Sequence, residues 1–134
     1  MIEDRFTKLH HEEPYAITDQ ALTDYKLSIA ELKPGELVAD LGCGDAQVLI
    51  SAAQNYGTRG LGFEIFPDAL TLAQKKITAA GLTDLIEIRD QNIYEADLSE
   101  VDVLILYLTR FTLGKLSLKL EQELQPGAKV ITHE

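Results

Sequence analysis

Residues 37–50 read LVADLGCGDAQVLI, and this stretch decides the fold. An apolar run ends in an acid, a glycine-rich turn follows, and a second apolar run comes after it. Because glycine has no Cβ, Gly42 and Gly44 let the backbone approach a ligand closely. A helix that starts near Asp45 or Ala46 points its free N–H groups into the same space. The pattern therefore predicts a strand, a ligand-binding turn and a helix.

Apolar strands and amphipathic helices alternate on both sides of this turn. The predicted strands cover residues 36–41, 59–65, 85–89, 101–108 and 128–134. The predicted helices cover residues 19–32, 46–57, 67–81 and 113–124. Such alternation favours βαβ units and right-handed crossovers. We expect an α/β fold: a doubly wound, Rossmann-like parallel sheet of order 3-2-1-4-5 with helices on both faces. Residues 1–18 are expected to form an N-terminal arm or lid, and residues 19–134 the domain.

Helical periodicity indicates which faces are apolar. The first helix places four apolar residues on one face: Leu22, Tyr25, Ile29 and Leu32. The third has Pro67 in its first turn, Gly81 after its end, and a stripe of Leu70, Ala73, Ile77 and Ala80. The last turns four leucines inward: Leu113, Leu116, Leu120 and Leu124.

Composition narrows the possible partners. The chain has 134 residues and a formal net charge of −10, which disfavours nucleic acid as a non-specific partner and suits a cationic protein. Cys43 is the single cysteine, so no internal disulfide forms, and a reducing cytoplasm is expected. No apolar run approaches the roughly 20 residues of a membrane span, and the N-terminus has no signal-peptide core.

Glu64 ends the second predicted strand, 20 residues after Gly44. An acid at about this spacing accepts hydrogen bonds from ribose hydroxyls in dinucleotide-binding folds. A nicotinamide site requires Gly or Ala at the third position of its glycine pattern, and Gln47 stands there. A ribose-containing cofactor other than a nicotinamide dinucleotide is expected.

Asp40, Gly42, Gly44 and Ala46 form a pattern that resembles the S-adenosyl-L-methionine (AdoMet) motif of class I methyltransferases. PYAIT (residues 14–18) and KLEQELQPGAKVITHE (residues 119–134) resemble segments of the small archaeal and mitochondrial-type protein-lysine methyltransferases. Two departures stand out. Ala46 replaces the usual third glycine, and because Ala is the smallest replacement, it is expected to crowd the cofactor at most slightly without preventing its binding. The C-terminal hairpin is absent, which indicates either a minimal form or a fragment.

The resemblance implies the site residues. The implied cofactor-binding residues are Tyr15, Thr18, Asp40, Gly42, Cys43, Gly44, Glu64, Ile65, Gln91, Asn92 and Tyr107. Asp40 would orient the amino group of the cofactor, Glu64 would bind the ribose, and Gln91 and Asn92 would mark the adenine. Tyr107 and Thr109, in LYLT, would face the methyl group as the catalytic residues.

Simpler roles stay open for several of these residues. Tyr107 could fill the core at a strand end, Tyr15 could anchor the arm to the surface, and Cys43 could be a small packing residue. Asp90 could be a solvated loop acid or an adenine partner. His10, His11 and His133 show no metal-ligand spacing, so no metal site is expected.

The leading interpretation is an AdoMet-dependent methyltransferase that modifies lysine side chains of basic proteins. The alternatives are a small-molecule methyltransferase and an inactive AdoMet-binding module. Residues 128–134 form the last strand, whose edge lacks the hairpin that usually covers it. This edge favours a homodimer through the last strand. The alternative is a monomer whose last strand frays.

Overall fold

The computed structural model describes residues 20–107 and 109–133, with the backbone alone at Tyr107 and His133. The predicted arm over residues 1–18, with Tyr15 and Thr18, lies outside the described residues. Helices and strands alternate in the part described, in this order: α1 (Gln20–Ile29), β1 (Leu37–Leu41), α2 (Gln47–Tyr56), β2 (Arg59–Glu64), α3 (Pro67–Ala79), β3 (Ile86–Asp90), β4 (Val103–Tyr107), α4 (Arg110–Glu123) and β5 (Lys129–His133). A short 3₁₀ turn, Ile93–Glu95, follows β3.

The strands form one parallel sheet in the order β3-β2-β1-β4-β5, which confirms the predicted topology. Side chains alternate between the two faces of a strand. Val38 of β1 therefore packs in the cluster that α1, α2 and α3 cover, whereas Ala39 and Leu41 pack in the cluster that α4 covers. This double burial explains why the central strands read as continuous apolar runs.

The predicted apolar face of α1 is wrong at Tyr25 and Ile29, whereas Leu32 packs against the apolar cluster as predicted. Tyr25 is 62% exposed and Ile29 is 50% exposed, while Thr23, Lys26 and Leu27 are buried. The helix is turned this way because the sheet offers Lys26 a buried acid and offers Leu27 an apolar cluster. Periodicity alone assigns a lysine to the solvent face.

The other helices are present as predicted, with bounds that differ by up to three residues; α4 begins at Arg110, three residues before its predicted start. α2 begins at Gln47, one or two residues later than expected, and Gly57 ends it with a left-handed φ of 72°. Pro67 occupies the first turn of α3. Leu116 of α4 is fully buried, and three more leucines of this helix and its end pack around it: Leu113, Leu120 and Leu124.

Lys129 of β5 joins the end of the chain to its first described helix. Its Nζ donates to the carbonyl oxygens of Ala30 at 2.9 Å and Glu31 at 3.2 Å. These carbonyls follow α1, where a helix leaves acceptors without partners. Lys129 therefore caps α1 and fixes it against the sheet.

Candidate functional site

A cleft of about 320 Å³ opens at the carboxyl ends of the strands. This is the edge at which open α/β sheets bind ligands. Five of the residues predicted to bind the cofactor line it: Gly42, Glu64, Ile65, Gln91 and Asn92. Sequence reasoning missed the rest of the lining: Phe66, Ile93, Tyr94 and Thr112. The apolar members of this second set had no motif to mark them.

The Glu64 carboxylate ties the glycine turn to β2. Its Oε1 accepts from the Gly44 N–H at 2.8 Å, and its Oε2 accepts from the N–H groups of Ile65 at 3.0 Å and Phe66 at 3.2 Å. Glu64 is buried, so these charge-assisted bonds are poorly screened by solvent. The carboxylate is thereby oriented before any ligand binds.

The glycine turn requires three residues in the left-handed backbone conformation. Gly42, Gly44 and Ala46 have φ values of 77°, 56° and 67°. A non-glycine residue in this region carries strain of order 1–3 kcal/mol. The Ala46 side chain is fully buried in the apolar cluster beneath α2. The methyl group of Ala46 therefore belongs to the core, and its effect on the cofactor stays a prediction.

Cys43 is a packing residue in this turn. Its thiol is buried, and burial, followed by the nearby acids Asp40 and Glu64, raises the thiol pKa far above its usual value. A neutral thiol is a poor nucleophile. The Sγ atom instead lies over Gly62, where an added Cβ would be only 2.7 Å away.

Three acids and two amines surround the turn: Asp40, Asp45, Glu64, Lys26 and Lys76. Lys76 Nζ lies 2.8 Å from Asp45 Oδ2, which joins α3 to the turn. Burial raises the pKa of Asp40 to about 8, the positive charge of Lys26 opposes that rise, and Glu64 and Asp45 add to it. Burial lowers the pKa of Lys26 to about 8, against the attraction of Asp40. The sequence analysis predicted Asp40 and Glu64 as site residues, and Asp45 lies in the same motif. It did not single out Lys26.

The raised pKa of Asp40 predicts a pH dependence of stability. Between its ordinary value of 3.8 and about 8, the folded protein holds a proton that the unfolded chain has released. The resulting stabilisation is complete below the ordinary value and is lost as pH rises through about 8, by up to about 1.4 kcal/mol per pH unit. Urea unfolding at several pH values from about 5 to 8 should show a steeper fall for the wild type than for Asp40→Asn. Parallel curves for the two proteins would contradict the assignment.

Thr109 and Asn92 both cap short stretches of backbone. Thr109 Oγ1 accepts from the Thr112 N–H at 3.2 Å and so caps α4. Asn92 Oδ1 accepts from the Tyr94 N–H at 2.9 Å at the start of the 3₁₀ turn. Tyr107 is the last residue of β4. The catalytic roles of Tyr107 and Thr109 and the adenine role of Asn92 stay predictions.

Substitution of Thr109 separates capping from catalysis. We expect Thr109→Ala to lower the free energy of unfolding by about 1 kcal/mol, because an N-cap is lost. Thr109→Asn supplies another good capping side chain and should restore the stability. If methylation follows stability through both variants, Thr109 acts as a cap. If Thr109→Asn folds normally but loses activity, the side chain faces the chemistry.

The donors and acceptors of the cleft fit AdoMet. A buried carboxylate suits the ribose diol, Gly42 leaves open space where a Cβ would stand, and Phe66 and Tyr94 offer apolar surface to a purine.

No group of three or more His, Cys, Asp or Glu within residues 20–107 and 109–133 is placed to hold a metal ion. None of the helices described there has the length and apolar character of a membrane span.

Comparisons with known proteins identify methyltransferases as relatives of this chain. The profile of the ANTKMT methyltransferase domain matches residues 40–134. The Protein-lysine N-methyltransferase of Saccharolobus islandicus is 34% identical over 122 residues, which is 90% of this chain and 76% of the relative. The Adenine nucleotide translocase lysine N-methyltransferase of Mus musculus is 27% identical, and the match spans 96% of this chain but 56% of the relative.

A solved structure of a methyltransferase has the same fold as this chain. The RNA methyltransferase from Salinibacter ruber, in complex with S-adenosyl-L-homocysteine, superposes with a TM-score of 0.85 at 38% identity. The superposition covers 87% of this chain and 76% of that protein. These three proteins are all named as methyltransferases, and their names differ in the acceptor of the methyl group.

Proposed function

Because this chain belongs to the family of ANTKMT methyltransferase domains, we propose that it transfers a methyl group from AdoMet to lysine side chains of a protein. The enzyme class and the cofactor follow from the family and from relatives that match most of the chain. The observation that carries the cofactor part of the proposal is the buried Glu64 carboxylate, which lines the cleft and is fixed by three backbone N–H groups.

Different residues of the cleft bind the ribose, the adenine and the methionine part of AdoMet. Glu64 has two oxygens with about four lone-pair positions, of which three accept from backbone. Oε1 keeps the remaining position, so it is the oxygen best placed to accept from a ribose hydroxyl. Ile65, Phe66 and Tyr94 supply apolar surface for the adenine ring, and the bare backbone at Gly42 leaves space for the methionine part.

The acceptor sets the remaining demands on the protein. Bound AdoMet supplies an electrophilic methyl group on a sulfonium. A lysine amine must lose a proton before it attacks, and its ordinary pKa is about 10.4. Burial of the amine near a positive charge lowers that pKa. The main tasks of the chain are therefore to align the amine, exclude water and attract a basic segment. The formal net charge of −10 serves the last task.

RNA is the competing acceptor, because one similar structure is named an RNA methyltransferase. Affinity for nucleic acid depends strongly on neutralising phosphates with Lys and Arg. This chain has 12 of these residues against 22 acids. The charge balance therefore favours a basic protein over RNA. A cytoplasmic location, which rests on the single cysteine, stays part of the proposal.

Methyl-labelled AdoMet tests the acceptor directly. The purified chain is incubated with a lysine-rich basic protein, with the same protein after chemical blocking of its lysines, and with total RNA. We expect label on lysine in the first sample alone, located by peptide mass spectrometry. Tyr107→Ala should lower turnover far more than AdoMet affinity. Label in RNA, or equal labelling of the blocked protein, would reject the lysine acceptor.

We also propose that β5 mediates a two-fold dimer. β5 is an outer strand of the described sheet, and Val130 on it is 40% exposed. An unpaired strand edge offers backbone donors and acceptors to a second copy. Light scattering at micromolar concentration should give twice the chain mass, and Val130→Lys should restore the monomer. A monomer mass for the wild type would contradict the dimer.

A further inference from the structure

Asp45 is a buried acid of the glycine turn to which the proposed binding of AdoMet gives no task. It is 7% exposed and stands between Gly44 and Ala46, whose φ values of 56° and 67° lie in the left-handed region. Residues with a Cβ, such as Ala46, rarely adopt this conformation. It persists only where the surrounding structure imposes it. The contacts of the Asp45 side chain therefore bear directly on whether the turn keeps its shape.

Two contacts fix the Asp45 carboxylate. Its Oδ1 accepts from the Gln47 N–H at 3.1 Å, and this N–H is one of those that a helix leaves without a partner in its first turn. Its Oδ2 accepts from Lys76 Nζ of α3 at 2.8 Å. The side chains of Lys76 and Asp45 are 31% and 10% exposed, so solvent screens this ion pair only in part. The carboxylate is thus held by α2 and by α3.

The ion pair connects two parts of the cleft. Gly42 of the glycine turn lines the cleft, and so do Ile65 and Phe66, which directly precede α3. Glu64 already joins the turn to β2. Lys76 adds a second connection, from the turn to the helix that begins beside the cleft. The described lining of the cleft does not include Lys76 itself.

Resting on the cofactor part of the proposed function and not on the methyl acceptor, we propose that Lys76 is a positioning residue for AdoMet. Its ion pair with Asp45 holds the glycine turn in the conformation that binds the cofactor. Lys76 thus acts through Asp45 and the backbone of the turn, without a contact of its own to AdoMet. Because coupling between two sites is reciprocal, bound cofactor in turn stabilises the ion pair. A contribution of Lys76 to folding alone would not produce this reciprocal effect.

Chemical labelling of amines tests the reciprocal effect in the wild type. The protein is treated briefly with acetic anhydride, with and without saturating S-adenosyl-L-homocysteine, and peptide mass spectrometry gives the rate at each lysine. We expect the rate at Lys76 to fall by about fivefold or more when the probe binds. The rates should not change at Lys75, an exposed neighbour on α3, or at Lys129, whose Nζ donates to the Ala30 carbonyl. An unchanged rate at Lys76, or equal falls at all three lysines, would overturn the inference.

Matched variants measure the same coupling by calorimetric titration of S-adenosyl-L-homocysteine. Lys76→Met should weaken binding by about fivefold or more, whereas Lys76→Arg keeps the positive charge and should retain the affinity. Asp45→Asn keeps an acceptor for the Gln47 N–H but loses the charge, and adding Lys76→Met to it should cause no further loss. Lys75→Met is the control and should bind as the wild type does.

Two outcomes of the titration would overturn the role of Lys76 alone: wild-type affinity in Lys76→Met, or additive losses in the double variant. A wild type that does not bind S-adenosyl-L-homocysteine would overturn the cofactor part of the proposed function together with the inference. Failure of the lysine acceptor leaves these measurements unaffected, because they require no methyl acceptor.

Discussion

Glu64→Ala is expected to weaken AdoMet binding by up to about 100-fold, because the hydrogen bond from the ribose to this charged group contributes about 1.5–3 kcal/mol. The substitution removes the acceptor for the ribose. It also releases the Gly44 N–H, which Glu64 Oε1 holds at 2.8 Å, so the turn loses its tie to β2. Calorimetric titration of AdoMet or S-adenosyl-L-homocysteine measures the loss.

Glu64→Gln separates the contribution of the negative charge to AdoMet affinity from the contribution of the side-chain shape. The amide keeps one acceptor oxygen, so we expect an intermediate loss of about tenfold. Glu121→Ala, at an exposed acid on α4, should leave the affinity unchanged and serves as the control. Affinity equal to wild type in Glu64→Ala would disprove the ribose assignment, provided that the melting curve shows a folded protein.

Gly62→Ala should give the second large effect, this time on stability. A Cβ at this position would stand 2.7 Å from Cys43 Sγ and 2.7 Å from Ile88 Cδ1. Overpacking of this kind costs about 1–3 kcal/mol. Since Cys43 belongs to the glycine turn, the added methyl group should also displace the turn and weaken cofactor binding. Denaturant titration and calorimetry measure the two losses separately.

Gly60 provides a matched control on the same face of the same strand. A Cβ there would meet its nearest atoms at 3.2 Å or more, so Gly60→Ala should cost less than Gly62→Ala. Shortening Cys43 to alanine in the Gly62→Ala background removes the Sγ contact and should restore part of the stability. Equal stabilities of the two single glycine variants would show that this contact does not restrict the turn.

The strands and the glycine turn were predictable because their signals are local. Central strands of a parallel sheet are apolar on both faces, and the left-handed turn demands residues such as Gly42 and Gly44. The spacing from Gly44 to Glu64 was informative for the same reason. It reflects one helix between two neighbouring strands, and the structure adds a direct hydrogen bond between the two residues.

The burial of Lys26 and the helix cap at Thr109 are two features that sequence reasoning missed. A lysine on a helix reads as a surface residue, whereas Lys26 is buried, and the charge that acts on it is that of Asp40 on another element. The role of the Thr109 hydroxyl at the methyl group stays a prediction, and the structure adds that its Oγ1 accepts a hydrogen bond in the first turn of α4. In both cases the partner, rather than the residue type, determines what the side chain contacts.

The Lys129 contact with α1 has a consequence for biosynthesis. Its acceptors, the carbonyl oxygens of Ala30 and Glu31, lie 99 and 98 residues earlier in the chain. A ribosome that adds 5–20 residues per second therefore makes α1 roughly 5 to 20 s before the amine that secures it. During that interval α1 is a nascent helix whose inner face, Lys26 included, has no finished sheet to cover it. The cofactor site is thus expected to mature after β5 has emerged, and molecular chaperones have those seconds in which to engage the exposed helix.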